Sequence, residues 1–212
     1  NWEWSMDLIR RAIAEKREGG GFSGRGAFGG HGIFGGRNLP DEESLSVLNL
    51  FGYTGGATIA ALLAGASVTH VDASKVAIEW AKRNAELSGV IDKPVRWMLD
   101  DARAFLRREI KRGKKYDAII MDPPAFGHGA KGELWKIEQH LLDLFSLCRS
   151  VLSSTPLFFL VNGYASGYSA ISYQNNLIET MQGHEGSIEI GELTIEESRA
   201  KRLLPAGIFA RW

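Results

Sequence analysis

Only one of the 212 residues, Cys148, is a cysteine. One thiol cannot close an internal disulfide or build a multi-cysteine zinc site, so a reducing, cytoplasmic setting is expected. An excess of either charge is also missing, because 25 Lys and Arg balance 25 Asp and Glu. Zero net charge removes any general argument for nucleic-acid binding, although a local basic patch can still hold phosphate. No apolar run reaches the roughly 18–20 residues that span a bilayer, and no secretory leader is visible. The histidines, at 31, 70, 128, 140 and 184, never pair at metal-ligand spacing, so no metal site is expected. The chain opens Asn1-Trp2-Glu3-Trp4 without Met, which reads as a piece of a longer protein whose upstream part can include a transit peptide. The chain is 44% hydrophobic, enough core for one α/β domain of this length.

The chain divides into three parts. Residues 1–18 read as an amphipathic helix, with Leu8, Ile9, Ala12 and Ile13 at helical spacing. Residues 19–45 read as a glycine-rich insertion, expected to be disordered because it buries too little to offset its backbone entropy. Its Phe, Arg and Gly mixture suits either a plain insertion or stacking on single-stranded RNA. No Gly-Lys-Ser/Thr follows, so it is not a phosphate-binding P-loop. Residues 46–212 alternate strands and helices. Strands are predicted at 46–50, 66–71, 95–99, 116–121, 157–161, 187–193 and 203–211. Helices are predicted at 57–64, 74–87, 102–111, 133–152 and 169–181. This order implies an α/β, Rossmann-like, doubly wound sheet of seven strands. The closing strand pair implies an antiparallel last strand at the edge.

Ligands of such sheets sit at the carboxyl ends of the strands. The first strand runs into Asn49-Leu50-Phe51-Gly52-Tyr53-Thr54-Gly55-Gly56. Glycines there let backbone approach a ligand and turn into a helix N-terminus. Asp72 follows 20 residues after Gly52, at the end of the second strand. A carboxylate there either accepts both hydroxyls of a ribose or caps the next helix. The spacing Gly52-x-x-Gly55-Gly56 lacks the first glycine of a dinucleotide fingerprint. That favours a nucleoside ligand without a pyrophosphate, S-adenosylmethionine (SAM), over NAD. Asp100-Asp101 end the third strand, where a carboxylate either meets an adenine amine or caps a helix.

The fourth strand exits through Asp122-Pro123-Pro124-Ala125-Phe126-Gly127. Two prolines stiffen that exit. The Asp122 carboxylate and Pro123 carbonyl become adjacent acceptors for an amine, and Phe126 offers a face for a planar base. A plain strand-terminating turn is the competing reading.

Together, Val-Leu-Asn-Leu-Phe-Gly-Tyr-Thr-Gly, Val-Thr-His-Val-Asp-Ala-Ser-Lys, Asp-Asp-Ala and Met-Asp-Pro-Pro-Ala-Phe-Gly resemble the class I SAM-dependent methyltransferases related to the bacterial large-subunit ribosomal RNA methyltransferases. The resemblance covers residues 46–212 and the 2–13 helix. It implies SAM as cofactor, RNA as substrate and an RNA-methylating role in ribosomal RNA processing. It implies that Phe51, Gly52 and Gly55 line the methionine tail, Asp72 holds the ribose and Asp101 meets the adenine, that Asn49, Ser74 and Asp122 also belong to the cofactor site, and that Asp122, Pro123 and Phe126 face the acceptor. The small N-terminal RNA-binding module usual in that family is missing from this chain.

The branch that methylates carbon 5 of cytosine carries a cysteine nucleophile just after the fifth strand. Here that place reads Val161-Asn162-Gly163-Tyr164, and Cys148 falls in phase with Leu134, Ile137, Leu141 and Phe145 on an apolar helix face. A nitrogen acceptor is therefore favoured. Two other features stay open. The run Arg107, Arg108, Lys111, Arg112, Lys114, Lys115 is either an RNA contact or a solvated helix face. The loop at 127–132, with His128 and Lys131, and Lys136 beyond it, either closes over substrate or stays solvated. The competing functions are a non-catalytic SAM- or RNA-binding module and an NAD-type oxidoreductase.

Overall fold

A computed structural model of the chain describes residues 1–19, 44–129, 132–164 and 167–212. Most of the glycine-rich insertion, and Lys131, lie outside the described residues. The framework is a sheet whose central strands are covered on both faces. Strand β1 (Ser46–Leu50) leads through a short loop into α2 (Gly56–Ala64), preceded in the chain by α1 (Trp2–Gly19). There follow β2 (Ser67–Asp72), α3 (Lys75–Leu87), β3 (Val95–Leu99), α4 (Ala102–Lys111) and β4 (Ala118–Met121). The chain continues with β5 (Phe126–His128), β6 (Leu134–Lys136), α5 (Ile137–Val151), β7 (Phe158–Gly163) and α6 (Ala170–Thr180), and ends with β8 (Glu189–Glu196) and β9 (Leu203–Arg211).

Seven of these strands form one sheet, in the order β3-β2-β1-β4-β7-β9-β8. The first five in that order are parallel, and β9 is antiparallel to both neighbours. Alternation along each central strand splits the core into two. Ile119 and Met121 of β4, with Phe159 and Val161 of β7, face α4, α5 and α6. Ala118, Ile120, Phe158 and Leu160 face α1 and α2 on the other side. The N-terminal helix is part of this second core: Ile9 is fully buried, and Trp4 meets Phe158 edge-on at 5.4 Å.

Three expectations change. The last strand is antiparallel as expected, but it lies inside the sheet rather than at its edge. Its Ala210 is buried against Val161 of β7, whereas β8 presents Glu189, Glu192 and Glu196, charges that suit an edge. The predicted 116–121 strand is shorter, because Tyr116 turns its hydroxyl to Glu109 and Asp117 binds the Ser46 N–H. The predicted 133–152 helix begins later, at Ile137, after a β5–β6 hairpin. Trp135 is buried there and its indole N–H donates to the Pro124 carbonyl at 2.6 Å, a tertiary bond that overrides local helical preference.

The basic run is mostly engaged within the fold. Arg107 pairs with Asp143, Arg108 with Asp100, and Arg112 with the buried Glu109, while Lys115 donates to the Ser150 carbonyl. Glu109 also receives Arg96 and the Tyr116 hydroxyl. Burial alone would raise its pKa, but these hydrogen bonds outweigh it and hold the carboxyl below its ordinary value. Among the described residues Lys111 and Lys114 stay exposed without such a partner, so this surface is a mostly paired, solvent-facing helix face.

Candidate active site

The carboxyl ends of β1, β2, β3, β4 and β7 meet at one place, and the loop after β1 is its floor. Phe51 (φ 55°) and Tyr53 (φ 47°) are both in the left-handed region, a strained conformation for side chains of that size. Four hydrogen bonds hold it. Gly52 N–H donates to Val71 O at 3.0 Å, Gly55 N–H to Gly52 O at 2.9 Å, Tyr53 N–H to Asp72 Oδ2 at 2.8 Å, and Asn84 Nδ2 to Thr54 O at 2.9 Å. Gly55, at φ 87°, lies against Ala81, which leaves no room for a larger residue.

Beneath Gly52 is a buried polar chain. Asn49 Nδ2 donates to Thr58 Oγ1 at 2.9 Å, and Thr58 Oγ1 meets His70 Nδ1 at 2.9 Å. Burial drives the His70 pKa down to about 4, so the imidazole is neutral. A Cβ on Gly52 would fall inside contact distance of the His70 ring. Gly52→Ala is therefore expected to lower Tm by several degrees in a thermal melt, about 2 kcal/mol of overpacking. An unchanged Tm would show that the ring yields freely.

The cavity above this floor has a volume of about 340 Å³ and lies within the range of small-ligand sites. Asp72 and Ser74 stand at one end. Asp72 Oδ1 accepts the Ser74 N–H at 2.8 Å, and Ser74 Oγ caps α3 by accepting Ala77 N–H. Ser74 rather than Asp72 is the cap, so the Asp72 carboxylate holds the loop and keeps further lone pairs for a ligand. Asp101 is buried and caps α4 through Ala104 N–H at 2.9 Å. Asp100 and Asp101 both line the cavity, Asp100 in its ion pair with Arg108.

Asp122 stands at the other end. Desolvation raises its carboxyl to about 6, and the neighbouring Tyr164 offsets part of the rise. Its Oδ1 is buried with no partner among the described residues. Asp122, Phe51 and Tyr53 also border a second, smaller cavity of about 140 Å³ that holds Asn49, Gly52 and Asn162. So the expected site residues gather in two adjoining spaces, with Asp122 at the junction. Pro123 is buried and, like Gly55 and Phe126, lines neither. Phe126 is 55% exposed on the β5–β6 hairpin, edge-on to His128 at 5.2 Å. Gly127, His128 and Gly129 of the same hairpin do border the main cavity.

Two residues that the sequence reading did not assign to the site stand at it. Trp135 forms part of the wall, tilted on Phe51 at 5.1 Å and with Arg103 over its ring at 5.8 Å. Through Pro124 it pins the proline turn that carries Asp122. Tyr164 lines the cavity from the end of β7. Its signal was present, since it occupies the stretch that lacks the cysteine. Cys148 is fully buried on α5 and burial pushes its thiol far up, so it is not a nucleophile in this fold. No Lys or Arg lines the main cavity among the described residues.

The family described as conserved hypothetical protein 95 matches residues 38–144. Ribosomal RNA large subunit methyltransferase I of Klebsiella pneumoniae (strain 342) is 43% identical over 81 residues, 38% of this chain and 20% of that protein. Ribosomal RNA large subunit methyltransferase K of Neisseria meningitidis serogroup B is 32% identical over 121 residues, 56% of this chain and 34% of that protein. The chain thus spans a fifth to a third of the length of these curated relatives. A SAM-dependent methyltransferase from Agrobacterium tumefaciens superposes with a TM-score of 0.79 at 38% identity, covering 100% of this chain and 60% of that one.

Proposed function

Because the chain belongs to the conserved hypothetical protein 95 family and carries the class I methyltransferase fold, we propose that it transfers the methyl group of SAM to a nitrogen of an RNA base, in ribosomal RNA. The observation that carries the reading is the single cavity running from Asp72 to Asp122. One carboxylate stands where a ribose would be held and the other where an acceptor amine would be held. The donor set fits a nucleoside sulfonium better than a dinucleotide. The cavity offers carboxylates for hydroxyls and amines, and no Lys or Arg among its described residues answers a pyrophosphate.

SAM, when bound, supplies a sulfonium-activated methyl group. The residues of this chain do the rest. Asp72 and Ser74 would hold the nucleoside, with Asp100–Asp101 at its base, and the Phe51–Gly55 loop would lie along the methionine tail. Asp122 holds an N–H of the acceptor, so that the nitrogen lone pair faces the methyl group. Trp135 and the hairpin wall the reaction from water. Positioning supplies much of the rate in such a transfer. The relatives' names carry the RNA substrate to this chain, and the buried Cys148 argues against carbon-5 chemistry.

Incubation with methyl-labelled SAM and separate RNA, DNA and protein pools tests the reading. Label is expected in RNA, and nucleoside mass spectrometry is expected to place it on a base nitrogen. Calorimetry is expected to detect S-adenosylhomocysteine and not NAD. Tight NAD binding, or label confined to protein or DNA, would overturn it.

A further inference from the structure

We propose that Trp2, on the N-terminal helix α1, is a cofactor-contacting residue. It closes the second cavity, of about 140 Å³, over the amino-acid end of SAM.

Trp2 is the outer wall of that cavity. It is more than half exposed, yet its place is built. A Cβ on Gly56 would lie 2.5 Å from Trp2 Cη2 and 2.6 Å from Cζ2, so glycine at the start of α2 is what admits the indole edge. The start of α1 is tied down beside it. Asn1 Nδ2 donates to Asn162 Oδ1 of β7 at 2.8 Å, and Arg211 of β9 donates to Asn1 Oδ1 at 3.2 Å. One turn on, Ser5 Oγ donates to the Trp2 carbonyl at 2.8 Å, and Arg211 lies over the Trp4 ring at 4.5 Å.

The chemistry behind this wall suits a zwitterion. The first N–H groups of α2 have no partner within the helix, and Gly55 before them offers no side-chain cap. Gly56 and Ala57, which open α2, both border the cavity. A carboxylate there would meet backbone donors at the positive end of a helix dipole. Two amides supply the rest. Asn49 and Asn162 are each more than nine-tenths buried, and both border the cavity. Asn49 Nδ2 is taken by Thr58 and Asn162 Oδ1 by Asn1. Neither side chain makes another hydrogen bond among the described residues, so an acceptor remains on Asn49 and a donor on Asn162. Polar groups buried this deeply are costly unless a ligand satisfies them. An ammonium suits the first and a carboxylate the second. Asp122, the one carboxylate on the described lining, adds attraction for the ammonium. No Lys or Arg borders this cavity among the described residues, so an anion there depends on neutral donors. Such donors are stronger where water is kept out, and the indole against Gly56 keeps it out. Phe51 and Tyr53 border both cavities, so adenosine and tail would lie on either side of them.

This role for Trp2 rests on the SAM reading, and one comparison tests the two apart. Calorimetry on the full chain would compare S-adenosylhomocysteine with 5′-methylthioadenosine, which keeps adenine, ribose and sulfur but lacks the amino-acid end. Wild type is expected to bind the first more tightly. Trp2→Leu is expected to weaken S-adenosylhomocysteine about tenfold and to leave methylthioadenosine in place. Gly56→Ala, which displaces the indole, is expected to show the same selective loss, and the double variant no more than Trp2→Leu alone. A Trp2→Leu chain that binds both ligands as wild type does, or loses both equally, overturns the assignment of Trp2. A wild type that binds the two ligands equally overturns the second cavity as the place of the tail. A wild type that binds neither overturns the SAM reading itself, and the role of Trp2 with it.

Discussion

Asp72→Ala is expected to weaken S-adenosylhomocysteine binding about 100-fold, read by calorimetry. Two hydroxyls of a ribose facing a carboxylate make two charge-assisted hydrogen bonds, each worth about 1.5–3 kcal/mol. Losing even about 2.7 kcal/mol is 100-fold in affinity. The substitution has a second effect, because Asp72 also receives the N–H groups of Tyr53 and Ser74. Both bonds lie at exposed positions, so water replaces the lost acceptor and the stability cost stays near about 1 kcal/mol. The binding loss should therefore greatly exceed the stability loss.

A double-mutant comparison separates holding the ribose from holding the loop. The 2′-deoxy analogue of S-adenosylhomocysteine is expected to bind wild type about tenfold more weakly than the parent, and Asp72→Ala with no further loss. An equal 2′-deoxy penalty in both proteins would mean that Asp72 acts only as scaffold for the strained Phe51–Tyr53 turn.

Asp72 and Asp122 were legible in the sequence for one reason. In a doubly wound sheet, a buried apolar strand that stops at an acidic residue marks its carboxyl end, and ligands gather at those ends. The order of strands and helices was legible from the same alternation. The hairpin was not. Leu134, Ile137, Leu141, Phe145 and Cys148 keep helical phase through Lys136, so periodicity could not show that the first turn is extended. What breaks the helix is the indole of Trp135 reaching Pro124, a contact eleven residues away. The left-handed Phe51 and Tyr53 were invisible for a related reason. A glycine advertises positive φ, whereas a phenylalanine held there by Val71, Asp72 and Asn84 does not. The basic run was open between an RNA contact and a solvated helix face, because its partners could not be read from spacing alone: Arg112 pairs with Glu109 of its own helix, but Arg108 with Asp100 at the end of β3 and Arg107 with Asp143 of α5.

Asp122→Asn is expected to lower methyl transfer by about 100-fold or more while raising the stability of the ligand-free protein. Burial pushes the carboxyl up to about 6 in the folded chain, from its ordinary value of 3.8 in the unfolded one. Above about pH 6 both states are ionised, and the fold bears the full cost of burying a charge. That cost is at most about 3 kcal/mol, less whatever solvent screens. As pH falls from about 6 to about 4, the folded state takes up a proton that the unfolded state does not, so the protein becomes more stable. Below about 4 both states are protonated and the effect is complete. Asparagine removes the charge at every pH. Thermal melts at pH 7 should therefore show Asp122→Asn several degrees more stable than wild type, and the gap should close near pH 4. Activity runs the other way: the ionised acid accepts the acceptor N–H, so wild-type transfer should rise with pH through about 6. An asparagine variant as stable as wild type at pH 7, or as active, would mean that the carboxylate is neither strained by its burial nor used in the transfer. The expected result is the pattern of a group kept in an unfavourable place for function.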